Sequence, residues 1–320
     1  MSAVRAKNKK HDFIRRSTGE KVFDVVNVLI MAALLIFFLY PVLNVVSISL
    51  SNEYEVLASN VTFYPKGFNG QAYSTIFRDP DLWRSIGNSA FVAIVGCVLS
   101  LLATCIAAYP LAFGDFYGKK IYTMVIMFTM WFNAGVVPMF LTIRALGIYD
   151  TLWALILNTL ISAYNVVIIR SYFSSIPFSV VESARIDGAN DYQILIRLII
   201  PLSKPVLATV ALWIIVGHWN DYMTPLILIS SKKNKTLQLV LKELVLNAET
   251  STSNLASVNS SNNTGVAALS TQIRNGVLVV SMVPMIVIYP FLQKFFVSGV
   301  MLGSEKGCQN RFSRASPVRI

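Results

Sequence analysis

The chain contains apolar runs of a length that few folds can accommodate. A helix rises about 1.5 Å per residue, so roughly 20 apolar residues cross a hydrocarbon core. Six segments reach that length: about 22–50, 85–112, 121–143, 151–173, 204–229 and 276–298. In lipid, each backbone N–H and C=O must be satisfied within the protein, and uninterrupted runs of this kind do so as helices. The expected fold is therefore all-α, a polytopic membrane protein with six transmembrane helices. Composition agrees: 55% of the 320 residues are hydrophobic and 13% charged, and the mean hydropathy is +0.60, beyond the range of ordinary soluble domains. The run from Val22 to Leu50 is too long for a signal peptide and lacks a small-residue cleavage site. It reads as the first span.

The net charge of +11 matters here by its placement, because Lys and Arg near span ends set orientation. With a cytoplasmic N-terminus, Arg5 to Lys21, Lys119, Lys120, Arg170, Arg185, Arg197, Lys204, Lys294 and the tail all fall inside. Both termini are expected in the cytoplasm, and the basic balance serves topology, not nucleic acid. The expected organisation is a basic cytoplasmic segment over 1–21, a transmembrane domain over 22–300 and a cytoplasmic tail over 301–320. External loops lie at 51–84 and 230–273, and a charged cytoplasmic loop at 176–203. Gly96, Ser100, Thr104 and Ala108, four apart on the second span, offer a face on which another helix can approach closely. A turn is expected at Pro65-Lys66-Gly67-Phe68, and the Ser/Thr/Asn-rich tract 249–265 reads as a flexible external loop. Cys97, Cys105 and Cys308 show no paired spacing, so neither a metal site nor a disulfide is expected.

The cytoplasmic loop is the most polar feature between spans. Ser179 and Glu182 have capping-box spacing, which predicts a short helix from Val180. Gly188 suits a positive-φ turn, Asn190 suits the cap of a second helix through about Leu198, and Pro201 and Pro205 separate that helix from the fifth span. The product is a helix–turn–helix elbow with Glu182, Arg185 and Asp187 beside Ala184, Ile186 and Ala189, a surface suited to a groove on another protein.

The residues Glu182-Ser183-Ala184-Arg185-Ile186-Asp187-Gly188, followed by Leu198-Ile199-Ile200-Pro201, resemble the EAA motif of ABC importer permeases. Asn88-Ser89, Gly217-His218-Trp219-Asn220 and Gly299 to Ser304 likewise resemble carbohydrate-uptake permeases of the LplC-like group, over about Val22 to Gly307. The resemblance implies a type I importer permease fold whose coupling helix enters a cleft of a cytoplasmic ATPase. On this chain the coupling residues would be Glu182, Ser183, Ala184, Arg185, Asp187 and Gly188. Ser183 replaces the family's first Ala, and the tail from Cys308 departs from the family's ending.

The resemblance also implies the partners: a second homologous permease, an ATPase dimer that binds ATP and Mg, an extracellular solute-binding protein, membrane lipid and an oligosaccharide, all at a bacterial plasma membrane. This chain itself would hold no cofactor. Gly114 to Lys120 lacks phosphate-loop spacing, and no nucleophile lies arranged beside His11 or His218. Counting residues from the cytoplasmic ends puts Asn133 level with Trp219 and Asn220. Trp131, Asn133, His218, Trp219, Asn220, Asp221 and Tyr222 thus form a candidate substrate path. The same aromatic residues suit an interfacial belt, and the amides suit helix–helix contacts. An ion-coupled sugar carrier or a non-transporting scaffold are the alternatives; isolated Asp221 is slight support for the first.

Overall fold

The computed structural model describes residues 18–132, 134–244, 246, 269, 271–287, 289 and 290, which form helices and loops with no strand among them. Two helices are long, unbroken and apolar enough to cross a membrane: Thr18–Leu50 and Pro80–Phe113. The second starts where Asp79 accepts the Asp81 N–H at 2.9 Å and Pro80 fills the first position, where a missing N–H costs nothing. It therefore begins before the expected boundary, inside the stretch assigned to an external loop. That stretch also holds two short helices, Glu53–Leu57 and Gln71–Arg78, and the expected turn, with Gly67 at φ +63°.

The remaining expected spans are not continuous. The third stops at Trp131 and resumes as Val136–Ala145. Gly135 between them has φ +87° and ψ −179°, a conformation open in practice only to glycine. The fourth is split into Leu152–Asn158 and Ala163–Phe173, bent by 52°. The fifth runs over Lys204–Asn220, gives way to extended backbone at Asp221 and resumes at Met223–Leu228. The sixth begins at Thr271, earlier than expected, and is described to Val287. Counted by length and composition, the described residues hold two spans, or up to five if each bent pair is one span. The Ser/Thr/Asn-rich tract 249–265, the N-terminal segment before Thr18 and the tail lie outside the described residues.

The second long helix is the central post. It packs on Lys204–Asn220 and on Ala163–Phe173, and its small-residue face is the reason. Gly96, Ser100, Thr104 and Ala108 are all buried, and a Cβ built on Gly96 would come within 2.7 Å of His218 Nε2. A side chain at this position would have to push the His218 ring aside. The C-terminal carbonyls of this helix would otherwise lack partners. Arg170 Nε donates to Leu111 O at 3.1 Å, and Lys119 Nζ donates to Ala112 O and Gly114 O at 3.1 and 2.9 Å.

Asp150, at φ +59°, ties the loops at the opposite end of the bundle from residues 176–203. Its carboxylate accepts from Ser230 N, Ser231 N and Ser231 Oγ at 2.9–3.0 Å, and its own N–H donates to Leu228 O. Burial would raise this carboxyl, but those donors and the nearby Lys233 outweigh burial and hold it below its ordinary value. Asn88 Nδ2 adds bonds to Lys233 O and Lys235 O, both 2.9 Å, and Ser89 Oγ accepts from Leu237 N at 2.8 Å.

Candidate functional site

The elbow forms, with one change at its start. Its first helix covers Phe178–Ile186 and begins at Pro177, whose ring fixes φ at −57°. Ser179 therefore lies inside the helix, and the capping box expected with Glu182 does not form. Proline pre-sets the helical entry two residues earlier than a serine cap would. At the other end, Ala189 N donates to Ala184 O and Gly188 N to Arg185 O, both 3.0 Å, with Gly188 at φ +83°. These two bonds make a Schellman motif, which demands the left-handed residue that glycine supplies.

Asn190 then caps the second helix as expected. It accepts from Gln193 N at 2.9 Å while Gln193 Oε1 accepts from Asn190 N at 3.0 Å. This helix runs over Asp191–Leu202, past the predicted Leu198, before an 83° bend into Lys204–Asn220. Leu195–Ile199 adopts a π-helical turn. Pro201 carries no N–H, and its ring would press on the Arg197 carbonyl in a regular α-turn; the wider turn relieves that contact.

An apolar keel holds the elbow to the bundle. Val181, Ile194, Leu195 and Ile199 are buried against Tyr109 and Phe113 of the second long helix and Phe173 of the fourth span. At roughly 2 kcal/mol for each such side chain, the keel outweighs the exposed Arg185–Asp191 ion pair, for which under about 1 kcal/mol is typical. Ala184 and Ala189 pack inward on this core, which corrects their expected place on a docking surface. The free face carries Glu182, Ser183, Arg185 and Asp187, all exposed, and Ile186, which is 81% exposed.

Sequence marked Asp191 as one of the charges of this loop but gave it no role in coupling, and it is the polar hub of the elbow. Its Oδ1 accepts from Tyr109 OH at 3.0 Å and from Arg185 at 3.1 Å. The Tyr109 hydroxyl first, and Arg185 next, hold its carboxyl below the ordinary range, and Asp191 in turn raises the Arg185 guanidinium. A carboxylate at the first helical position looks like simple dipole complementarity in the sequence. Its long-range partner at Tyr109 has no local signal.

The residues expected to meet a solute have mixed placements. Trp219 is 4% exposed and packs with Ile76, Leu82, Leu237, Leu241 and Val277; its Nε1–H donates to Ser281 O at 3.2 Å. Its ring is occupied by packing within this chain, which corrects the expectation of an open aromatic face. His218 lies on Gly96. Asn220 is exposed with its amide donating back to Val216 O, and Asp221 Oδ1 accepts the Thr224 N–H at the restart of the helix. The Tyr222 ring has the Lys242 ammonium 5.7 Å from its centre. Residues 218–222 are thus gathered around the break in the fifth span. Trp131 ends its helix 84% exposed, with little of its ring against any neighbour. Asn133 lies outside the described residues.

Breaks in the third and fourth spans line two open clefts that hydropathy did not reveal. One, of about 480 Å3, is bordered by Thr129, Phe132, Ala134, Ser162 and Tyr164. The other, of about 620 Å3, is bordered by Gly135, Thr142, Asn158 and Thr159. Backbone freed from a helix at membrane depth must find polar partners or line a wet cavity.

The comparisons with known proteins converge. Protein LplC of Bacillus subtilis (strain 168) is 36% identical over 287 residues, covering 90% of this chain and 96% of the relative. The polygalacturonan/rhamnogalacturonan transport system permease protein YtcP of the same organism is 34% identical over 290 residues, 90% of this chain and 99% of the relative. A crystal structure of a bacterial ABC transporter involved in the import of the acidic polysaccharide alginate contains a chain that superposes with a TM-score of 0.79 at 32% identity, covering 88% of this chain and 99% of that one. Residues 90–268 match the family described as binding-protein-dependent transport system inner membrane component. A helical membrane protein with this fold neighbour and these relatives belongs to that family of transport permeases.

Proposed function

We propose that this chain is one of two permease subunits of an ATP-driven importer for oligosaccharides. In this reading it spans the bacterial plasma membrane six times with both termini in the cytoplasm, and the elbow fits a cleft of a cytoplasmic ATPase dimer. The observation that carries the reading is the elbow's two-sided build. A buried apolar keel anchors it to three spans, while Glu182, Ser183, Arg185, Ile186 and Asp187 remain free. Ile186, 81% exposed among those charges on a motif of tight turns, suits insertion into a partner's groove.

ATP and Mg bind the partner ATPase; closure of that dimer pushes the elbow and biases the spans between inward- and outward-facing arrangements. Glu182 supplies the main electrostatic contact, Arg185 and Asp187 assist, and Gly188 sets the angle. The solute passes by Asn133, Asn220, Asp221 and Tyr222 and by the clefts at the helix breaks, and a solute-binding protein delivers it to the loops tied by Asp150. One relative is a polygalacturonan/rhamnogalacturonan transport system permease protein and the solved structure is of a transporter involved in the import of alginate, which makes oligosaccharides of such polymers the first probes.

The test is uptake of oligogalacturonides and alginate oligosaccharides into vesicles containing the chain with its permease partner, ATPase and binding protein. Uptake should require ATP, and Glu182→Arg should lower it at least tenfold while the chain still inserts. Uptake driven by an ion gradient without ATP would establish a secondary carrier instead. No uptake of any glycan with every subunit present would leave a scaffold.

A further inference from the structure

We propose that Asp191 is a positioning residue that transmits elbow movement to the second long helix, with Tyr109 as its receiver and Arg185 as its input. This rests on the coupling-loop reading above. Arg185 occupies the last turn of the helix Phe178–Ile186, the part that faces the proposed ATPase. Asp191 opens the next helix, and Tyr109 lies near the C-terminal end of Pro80–Phe113. One carboxylate oxygen takes both donors, at 3.0 Å from Tyr109 and 3.1 Å from Arg185.

The apolar keel fixes where the elbow sits, but its contacts are non-directional and shared among three spans. Hydrogen bonds have a direction and a narrow range of length. Through Asp191 the coupling helix is therefore linked to the post on which Ala163–Phe173 and Lys204–Asn220 both pack, and a push arriving at Arg185 reaches the bundle centre. The Arg185 and Asp191 side chains are 42% and 63% exposed, so their removal should spare the fold. Tyr109 is 7% exposed and its ring packs on Phe113; Tyr109→Phe keeps that packing and deletes only the donor.

The experiment uses the complete assembly in proteoliposomes, with spin labels on cysteines replacing Ile196 of the elbow and Ile106 of the second long helix, in a background free of other cysteines. A second pair, Ile196 and Leu35, reports whether the elbow moves at all. Between nucleotide-free and vanadate-trapped states the first distance should stay within about 2 Å while the second changes. In Tyr109→Phe and Asp191→Ala the first distance should change too, and oligogalacturonide uptake per ATP hydrolysed should fall about tenfold. Asp191→Asn, which keeps an acceptor oxygen for Tyr109, should retain more of that ratio than Asp191→Ala. If the first distance already changes in the wild type and Tyr109→Phe alters neither readout, the transmission role is wrong. If instead ATP moves neither pair in the wild type, the coupling-loop reading itself fails.

Discussion

The two long helices are near twins in sequence terms and opposites in setting. Thr18–Leu50 has 33 residues and Pro80–Phe113 has 34, and the two are almost equally apolar. No residue of the first helix's most apolar stretch is buried, against 39% for the second. The difference lies in side-chain size, not in hydropathy. The second carries Gly96, Ser100, Thr104 and Ala108 on one face, and two other helices close on it. The first presents Phe23, Leu29, Leu35, Phe37 and Phe38 to its surroundings. It is fastened near its C-terminal end, where Asn44 Nδ2 donates to Thr62 O at 3.0 Å and the Ser49 and Tyr73 hydroxyls meet at 2.9 Å. Apolarity makes a helix compatible with lipid, whereas small residues let it approach a neighbour.

The sharpest way to break this contrast is to give the post a side chain where it has none. Gly96→Leu drives atoms into the His218 ring, already 2.7 Å from an ideal Cβ, and overpacking of this kind costs up to about 3 kcal/mol. Thermal unfolding in detergent should show a marked fall in Tm, and a preserved Tm would mean that the close approach is not required.

A smaller effect is expected at the Asp150 tie. Asp150→Ala leaves the Ser230 and Ser231 N–H groups without their acceptor, a loss of roughly 1 kcal/mol. Because the folded-state carboxyl is held below its ordinary value, its stabilisation is complete above the unfolded value of about 3.9 and disappears as pH falls through the lower folded value. Unfolding followed between pH 6 and pH 3 should therefore show wild type and Asp150→Ala converging at the acid end. Parallel curves would remove the carboxylate from the account. The smallest effect belongs to the first helix: Phe37→Ala, on a side chain 71% exposed, should shift the stability of the isolated chain by under about 0.5 kcal/mol. A large shift would show that this helix packs against the rest of the chain after all.

Features carried by neighbouring residues were legible in the sequence. Gly188 takes the left-handed turn and Asn190 with Gln193 forms a capping box, because each acts within a few residues. Legibility failed where local signals competed, as at Ser179, where Pro177 two residues earlier set the helix start first. It failed again where a partner lay far along the chain. Trp219 finds Ser281, and Tyr109 finds Asp191 across 82 positions.

By itself, then, the sequence determined that the chain lives in a membrane as helices, where its turns fall and which motif marks the elbow, since run length, backbone demand and glycine geometry are properties of contiguous residues. Only the tertiary structure decided which aromatic rings are buried, where spans break and which carboxylate joins elbow to post. Those outcomes depend on side chains distant in sequence competing for the same space and the same hydrogen-bond acceptors, and no window of neighbouring residues contains that competition.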